Sequence, residues 1–533
     1  MHGLEGGLGV VLLVASAAIV AGVARKLSWS APLLCVLVGL AASMLPGIPE
    51  DRIRIAPDVV LSLVLPPLLF SAALDSSFVN FRKNLRPIGL LSVGLVLFTA
   101  LSVGVVMAAV VPDMHFVVAC TLGAIVAPPD AVAATAIARK LGLPRRMVVI
   151  LAGESLVNDA TALTAYRVAV AATMGTGYSF ADAAGVFLLA AAGGVAIGLV
   201  VATAVNWLTR RLRDAVLENT LILLAPFLAY VPAESLHASG VLAVVVAGLS
   251  IGHHAPRTAT YAGRLQASAI WKMVDFLLES SVFLLIGLQL RAVAREGTVG
   301  VSVGELATWV SVAVLVVIAT RFIWVFPATL VPRLLSRRLR ERDPAPHWRF
   351  MVVESWAGMR GVVSIAAAYA LPVSFPERNL IIFLTFGVVI STLVLHGFTL
   401  PWLIRRLGVV ADSERKADDL AEAAAQHAAI GTSLSRLDEM LAAAGPEVPE
   451  EVVARLRERA ELRSFGAWER LGGGADTSTP EPPTATYRRL RREMLETERQ
   501  VFVELRDAGR IDDEVMRRVQ RELDLEEAMI ARD

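Results

Sequence analysis

Residues 152–167, "AGESLVNDATALTAYR", place two carboxylates and an amide inside an otherwise apolar stretch. Helical spacing puts Ser155 and Asp159 on one face of this segment, and Glu154 and Asn158 on the adjacent face. Charge within hydrocarbon is costly and normally faces a cavity or a partner. We therefore expect Ser155 and Asp159 to offer oxygens to a monovalent cation, whereas Glu154 and Asn158 are better placed to hold the architecture.

A proline pair interrupts the preceding apolar segment, "TLGAIVAPPDAVAATAIA". Pro128 and Pro129 remove two helical N–H donors, which frees carbonyl oxygens one turn earlier. Such a break survives in a membrane only where it is buried or lines a wet cavity. Asp130 follows directly, so the pattern predicts a carboxylate and exposed carbonyls together at mid-membrane.

A second interruption is predicted in "ESWAGMRGVVSIAAAYA", where Gly358, Arg360 and Gly361 break a late apolar segment. Interrupted helices at corresponding positions of two halves indicate a transporter binding site. We expect Arg360 to lie beside the C-terminal end of the other broken helix and to offset its dipole.

Other ionisable residues also fall within apolar segments. Arg321, in "VVIATRFIWVFP", requires a carboxylate partner, and we predict that this partner is Glu154. Glu279 either lines a pathway or makes a structural hydrogen bond. Asp275, nearer the end of the same segment, is expected to be solvated.

The amino-acid composition indicates the environment in which these apolar segments lie. The chain is 55% hydrophobic and 19% charged, with a mean hydropathy of +0.61, which is too apolar for an ordinary soluble protein. Apolar runs near bilayer length predict about thirteen transmembrane helices. These lie near 8–24, 31–47, 57–75, 86–110, 115–138, 146–172, 181–208, 216–232, 236–252, 268–290, 304–331, 349–371 and 378–406.

Loop charges predict the orientation. With the N-terminus outside, the inner loops hold roughly twenty Lys and Arg residues against about five in the outer loops. The prediction is a multi-pass plasma-membrane protein of the all-α class with a cytoplasmic C-terminus. If spans one to six repeat as eight to thirteen, the two interrupted segments correspond as inverted repeats.

The pattern changes after residue 409, where the sequence becomes charged and helical in period. We assign residues 1–409 to the membrane domain and 410–533 to a cytoplasmic helical tail. A Gly-, Thr- and Pro-rich stretch near 471–486 predicts a flexible linker within this tail. The tail is either a regulatory domain or a plain assembly domain.

Five motifs together resemble the monovalent cation/proton antiporters of the sodium/proton exchanger type, the NhaP-like proteins of the CPA superfamily. These motifs are "GAIVAPPDAVAATAI", "AGESLVNDATAL", "FLLIGLQL", "WAGMRGVVSIA" and "HGFTLPWLI". The resemblance covers residues 8–407. It implies thirteen helices, two crossed unwound helices, a mobile core domain and a homodimer.

The resemblance also implies roles for residues. It makes Asp159 the residue that binds either the cation or the proton. It also groups Asn158 with the cation/proton-binding residues, as the other member of the Asn-Asp pair associated with electroneutral exchange. Asp130 and Ser155 join Asp159 as ligands of Na+, Li+ or K+, and Pro129 stands where a Thr carbonyl often serves.

Further implications concern the surrounding helices. Glu154 and Arg321 match the core ion pair of the family, and Glu279 falls where relatives often carry a polar or acidic residue. Ser71, in "LPPLLFSAAL", replaces the Glu of many bacterial relatives and bears on ion affinity and on the choice between Na+ and K+.

The function predicted from this pattern is exchange of a monovalent cation for H+, in the service of pH and sodium homeostasis. K+/H+ antiport is an alternative, and a non-transporting sensor that signals through the tail is a more remote one. Signatures of an enzyme, of a bound cofactor or of nucleic-acid binding are not evident in the sequence.

Overall fold

The computed structural model describes residues 2–27, 30–45, 60–130, 135, 137–138, 141–175, 180–297, 301–409, 412–444, 449–470, 483–508, 510 and 513–532. Across these residues the chain is helical and contains no strand. It divides into two compact units, Met1–Val410 and Ala411–Asp533.

The described part of the first unit is a bundle of helices. The helices are α1 His2–Lys26, α2 Ala31–Ser43, α3 Leu65–Leu74, α4 Phe78–Lys83, α5 Leu85–Gly89, α6 Val96–Val110, α7 Phe116–Val126, α8 Arg145–Thr173, α9 Phe180–Leu212, α10 Ala215–Ser235, α11 Gly240–Thr258, α12 Tyr261–Gly297, α13 Val303–Leu335, α14 Arg337–Arg342, α15 Trp348–Trp356, α16 Val362–Tyr369 and α17 Arg378–Leu407. Wider π-helical turns at Val60–Val64 and Leu90–Leu95 lead into α3 and α6.

Many of these helices have the length and the apolar character of membrane spans. Within the described ranges, eight helices are long and apolar enough to cross a bilayer, and three shorter apolar helices accompany them. A span requires about 20 apolar residues. The prediction of an all-α protein with several membrane helices is confirmed at this level.

Local sequence explains where several helices begin and end. The Asp214 side chain accepts hydrogen bonds from two backbone N–H groups of α10, and Ser302 with Glu305 forms a reciprocal capping box at the start of α13. Helix α17 ends at Leu407 and is capped by Gly408, which has a φ of 63° that glycine adopts without steric cost.

Helices α2 and α12 pack through glycines, which allows their backbones to approach closely. A β-carbon on Gly39 would collide with the Leu284 carbonyl oxygen, and one on Gly287 would collide with the Val36 carbonyl oxygen. Small residues at such crossings favour helix association in membranes. This contact holds the helix that carries Asp275 and Glu279.

Both predicted interruptions are present. Helix α7 ends at Val126, and the described residues 127–130 that follow are not helical. Residues 357–361 separate α15 from α16. Each interruption falls at the proline or glycine residues that predicted it.

Helix α8 lies between two apolar clusters. Its residues Met147, Leu151 and Tyr166 belong to a large cluster that also includes residues of α6, α7, α12, α13 and α17. Leu156 and Ala160 of α8 belong to a second cluster with residues of α3, α10 and α11. The helix that carries Asp159 is thus fixed on two sides by hydrophobic packing.

The described residues of the second unit form four helices, α18 Asp412–Ala444, α19 Glu450–Arg470, α20 Pro483–Asp507 and α21 Asp513–Arg532. Leu495 and Leu523 form a small apolar core between α20 and α21. The Arg491 guanidinium donates hydrogen bonds to the carboxylates of Glu498 and Glu526. Most of the linker predicted near 471–486 lies outside the described residues, and residues 483–486 form the first turn of α20.

Candidate functional site

The two helix interruptions lie against each other. The Asp130 backbone N–H donates to the Met359 carbonyl oxygen at 2.6 Å. Gly361 approaches the Asp130 carboxylate so closely that a β-carbon would overlap it. The absence of a side chain at residue 361 therefore makes room for the carboxylate of the other interruption.

Arg360 is buried at this contact. Its guanidinium donates to the Ala127 carbonyl oxygen, and its backbone N–H donates to the Thr392 hydroxyl at 3.2 Å. Ala127 directly follows the last residue of α7, where the helix dipole is negative. The positive charge of Arg360 thus lies beside the C-terminal end of α7.

A cavity of about 290 Å³ opens beside the interruptions. It brings together side chains that are far apart in sequence and that come from α3, α8, α12 and both interruptions. Of the residues singled out from the sequence, those lining it are Ser71, Pro128, Pro129, Asp130, Ser155, Asp159, Asp275, Glu279 and Gly361. Asp159 is only 5% exposed. Residues with carboxylate and hydroxyl side chains thus line one small space together with apolar residues.

Asn158 does not line this cavity. Its side-chain amide donates to the Pro129 carbonyl oxygen at 2.8 Å, and the residue is fully buried. Asn158 therefore ties α8 to the first interruption, one residue before Asp130. Asn158 thus lies off the helix face on which Ser155 and Asp159 line the cavity, because one step along a helix rotates a side chain by about 100°.

Glu154 and Arg321 form a buried ion pair away from the cavity lining. The two guanidinium nitrogens of Arg321 lie 2.6 and 2.9 Å from the two carboxylate oxygens of Glu154. Both side chains are 2% exposed. Arg321 also donates to the Glu354 carbonyl oxygen at 3.1 and 3.3 Å. The pair therefore connects α8 with α13 and α15.

Sequence reasoning did not place Asp275 in the cavity. The expectation that it is solvated is wrong, because its Oδ2 accepts a hydrogen bond from the Ser71 hydroxyl at 2.5 Å and its Oδ1 is buried. Asp275 also lines the cavity. Its spacing of four residues from Glu279 was the available signal, since i and i+4 share a helix face.

Carboxylate and hydroxyl residues around a cavity at the junction of two interrupted helices, inside a bundle of membrane-length helices, are characteristic of ion-coupled secondary transporters. The comparisons with known proteins agree with this class. A model of the family "Sodium/hydrogen exchanger, transmembrane" matches residues 12–406. The chain belongs to this family, as its motifs predicted, and the family is one of transporters.

Relatives match the chain along most of its length. An uncharacterised Na+/H+ exchanger of Mycobacterium tuberculosis is 34% identical over 545 residues, covering 99% of this chain and 97% of the relative. The Na+/H+ antiporter ApNhaP of Aphanothece halophytica is 28% identical, covering 95% and 93%.

A solved structure supports the fold. The sodium proton antiporter MjNhaP1 of Methanocaldococcus jannaschii superposes with a TM-score of 0.58 at 18% identity, covering 76% of this chain and 99% of that one. At this identity the likeness shows a shared fold.

Proposed function

We propose that this protein exchanges a monovalent cation for H+ across the plasma membrane, with Na+ or Li+ as the favoured cation and K+ as the alternative. The observation that carries the proposal is the shared cavity of Asp130, Ser155 and Asp159 beside two apposed helix interruptions. Membership of the exchanger family supports the same reaction.

Exchange follows from one carboxylate that serves two ligands. A proton on Asp159 removes the main charge that holds the cation, and a bound cation disfavours the proton electrostatically. Asp159 therefore carries one ligand at a time. Asp130 and Ser155 supply further oxygens to a dehydrated cation, and the Pro129 carbonyl, already bonded to Asn158, contributes main-chain polarity beside them.

The stoichiometry of the proposed cycle is one cation for one proton. Asn158 is a neutral amide, so only Asp159 changes its ligand between the two half-cycles. Arg360 offsets the negative end of α7, and Glu154 is neutralised by Arg321. The cycle is then electroneutral.

The transport movement is rigid-body alternation of a core domain against a fixed scaffold. In this proposal the membrane domain comprises thirteen spans arranged as inverted repeats, with crossed unwound helices at the two interruptions. The N-terminus lies outside, the tail is cytoplasmic, and the scaffold helices form a homodimer. The physiological role is pH and sodium homeostasis.

The test is cation-driven proton movement in proteoliposomes that contain the purified protein and a pH-sensitive dye. Na+, Li+ and K+ are added in turn with the membrane potential left free, and the Na+ and Li+ additions are repeated with the potential clamped by valinomycin and equal K+ on both sides. A cation-triggered pH change that is unaffected by the clamp supports electroneutral antiport and ranks the ions. Silence with every cation refutes antiport, and a rate that follows the membrane potential refutes electroneutrality.

A further inference from the structure

The cavity has a second carboxylate that is held by a hydroxyl on another helix. Ser71 of α3 and Asp275 of α12 are 204 residues apart in sequence, and their oxygens lie 2.5 Å apart. Ser71 is 4% exposed, so its hydroxyl donates to Asp275 and is shielded from bulk water. The contact fixes one oxygen of the Asp275 carboxylate.

The other oxygen has no protein ligand among the residues that the structure describes. Asp275 Oδ1 is buried and accepts no hydrogen bond there. A buried carboxylate oxygen without a partner is costly. Because Asp275 lines the same cavity as Asp159, a cation in the cavity is the natural partner for this oxygen.

Five carboxylates line this cavity and differ in their exposure. Asp75, which follows the last residue of α3, is exposed and forms the rim of the cavity. Asp130, Asp159 and Glu279 line the same cavity, and Asp159 is only 5% exposed. Asp275 is partly exposed, so its exposure is intermediate between that of Asp75 and that of Asp159.

This rim is on the predicted cytoplasmic side of the membrane. The segment after Asp75 leads within one short helix to Arg82 and Lys83, and basic residues accumulate in cytoplasmic loops. A cation that enters from the cytoplasm therefore meets Asp275 before it meets Asp159.

We propose that Asp275, positioned by Ser71, is a second cation ligand of the cavity and determines the apparent affinity for cations arriving from the cytoplasmic side. The inference rests on the proposed antiport. Asp275 binds the partly dehydrated cation through Oδ1 and passes it to Asp130 and Asp159, without itself being the group that exchanges cation for proton.

The first test compares the cation KM and the maximal antiport rate of the wild type with those of Asp275→Asn. Asparagine keeps the shape and can still accept the Ser71 hydrogen bond, so only the charge and one acceptor oxygen are lost. We expect the cation KM to rise about tenfold, as for loss of one nearby unit charge, with a maximal rate within about twofold of wild type.

A positioning variant and a control complete the set. Ser71→Ala leaves the charge but removes the donor, and we expect a smaller rise in KM, of about threefold. Asp113→Asn makes the same chemical change at an exposed turn residue with a φ of 61°, which asparagine tolerates. An unchanged KM in Asp275→Asn, or an equal rise in Asp113→Asn, overturns the proposal.

Cation-dependent thermal stabilisation of the detergent-purified protein supplies a readout that does not require transport. The midpoint of NaCl-induced stabilisation is measured at constant ionic strength with choline chloride as the balance. A shift of this midpoint to about tenfold higher Na+ in Asp275→Asn supports the second ligand, and an unshifted midpoint overturns it. If the wild type bound Na+ but showed no antiport, the proposed function would be refuted. The midpoint of NaCl-induced stabilisation would still show whether Asp275 is a cation ligand.

Discussion

Removal of one partner of the Glu154–Arg321 pair tests whether this pair stabilises the packing of α8 against α13 and α15. Both side chains are 2% exposed, and two short hydrogen bonds join them. Glu154→Ala deletes the carboxylate and leaves the guanidinium of Arg321 buried. We predict a large loss of stability, with cation selectivity and KM unchanged in the protein that remains folded.

The magnitude follows from the lost contacts. Two hydrogen bonds between charged groups contribute about 1.5–3 kcal/mol each, and breaking a buried pair by removing one partner costs about 3–5 kcal/mol. Arg321 retains its two hydrogen bonds to the Glu354 carbonyl oxygen, which limits the damage. We therefore expect Glu154→Ala to lower the free energy of unfolding by about 3–5 kcal/mol.

The assay is unfolding of purified protein in mixed micelles, followed by the loss of helical circular dichroism. Arg321→Ala should behave like Glu154→Ala, and the double variant should lose less than the sum of the two single changes, because the partners are coupled. Glu341→Gln is the control, since Glu341 and its partner Arg337 are 63% and 85% exposed and such pairs contribute about 0–1 kcal/mol.

A different pattern would contradict this reasoning. If Glu154→Ala unfolded like the wild type while its antiport stopped, the pair would belong to the transport chemistry. If the double variant lost the full sum, the two side chains would act independently despite their contact.

Two further predictions concern the helix interruption and the tail. Gly361→Ala should abolish antiport because its β-carbon would collide with the Asp130 carboxylate, whereas Gly397→Ala, whose β-carbon meets no atom within 4 Å, should transport normally. Hydrogen bonding from Arg491 holds the pKa of the Glu526 carboxyl below its usual range. That stabilisation is present above the unfolded-state pKa and is lost as the pH falls through the lower folded value. In the full-length protein, the amide protection factors of α20 and α21, measured against the intrinsic exchange rate at each pH, should therefore fall as the carboxyl becomes protonated. Protection factors that stay constant over this acid range would refute the second prediction.

Local features of the site could be predicted from sequence because they depend on helical period and on backbone chemistry. The spacing of Ser155 and Asp159 places both on one face of α8, and both line the cavity. Pro128 and Gly358 mark chain breaks because one lacks an N–H donor and the other lacks a side chain.

Long-range contacts were predictable only where an unpaired charge in an apolar helix would be energetically costly. Arg321 is isolated in an apolar helix, so a carboxylate was expected beside it, and Glu154 is bonded to it. The contact between Ser71 and Asp275 has no such signal, because neither residue requires the other in particular. Their meeting depends on how α3 and α12 pack, which no local pattern encodes.

The most direct test of the central claim is antiport by wild type and Asp159→Asn, reconstituted side by side at equal protein density. The cation-triggered pH change is recorded for Na+, Li+ and K+ over a range of pH. We predict that the wild type responds and that Asp159→Asn shows no response at any concentration, because the neutral amide neither takes up a proton nor supplies the charge that holds the cation. Normal antiport from Asp159→Asn would contradict the account.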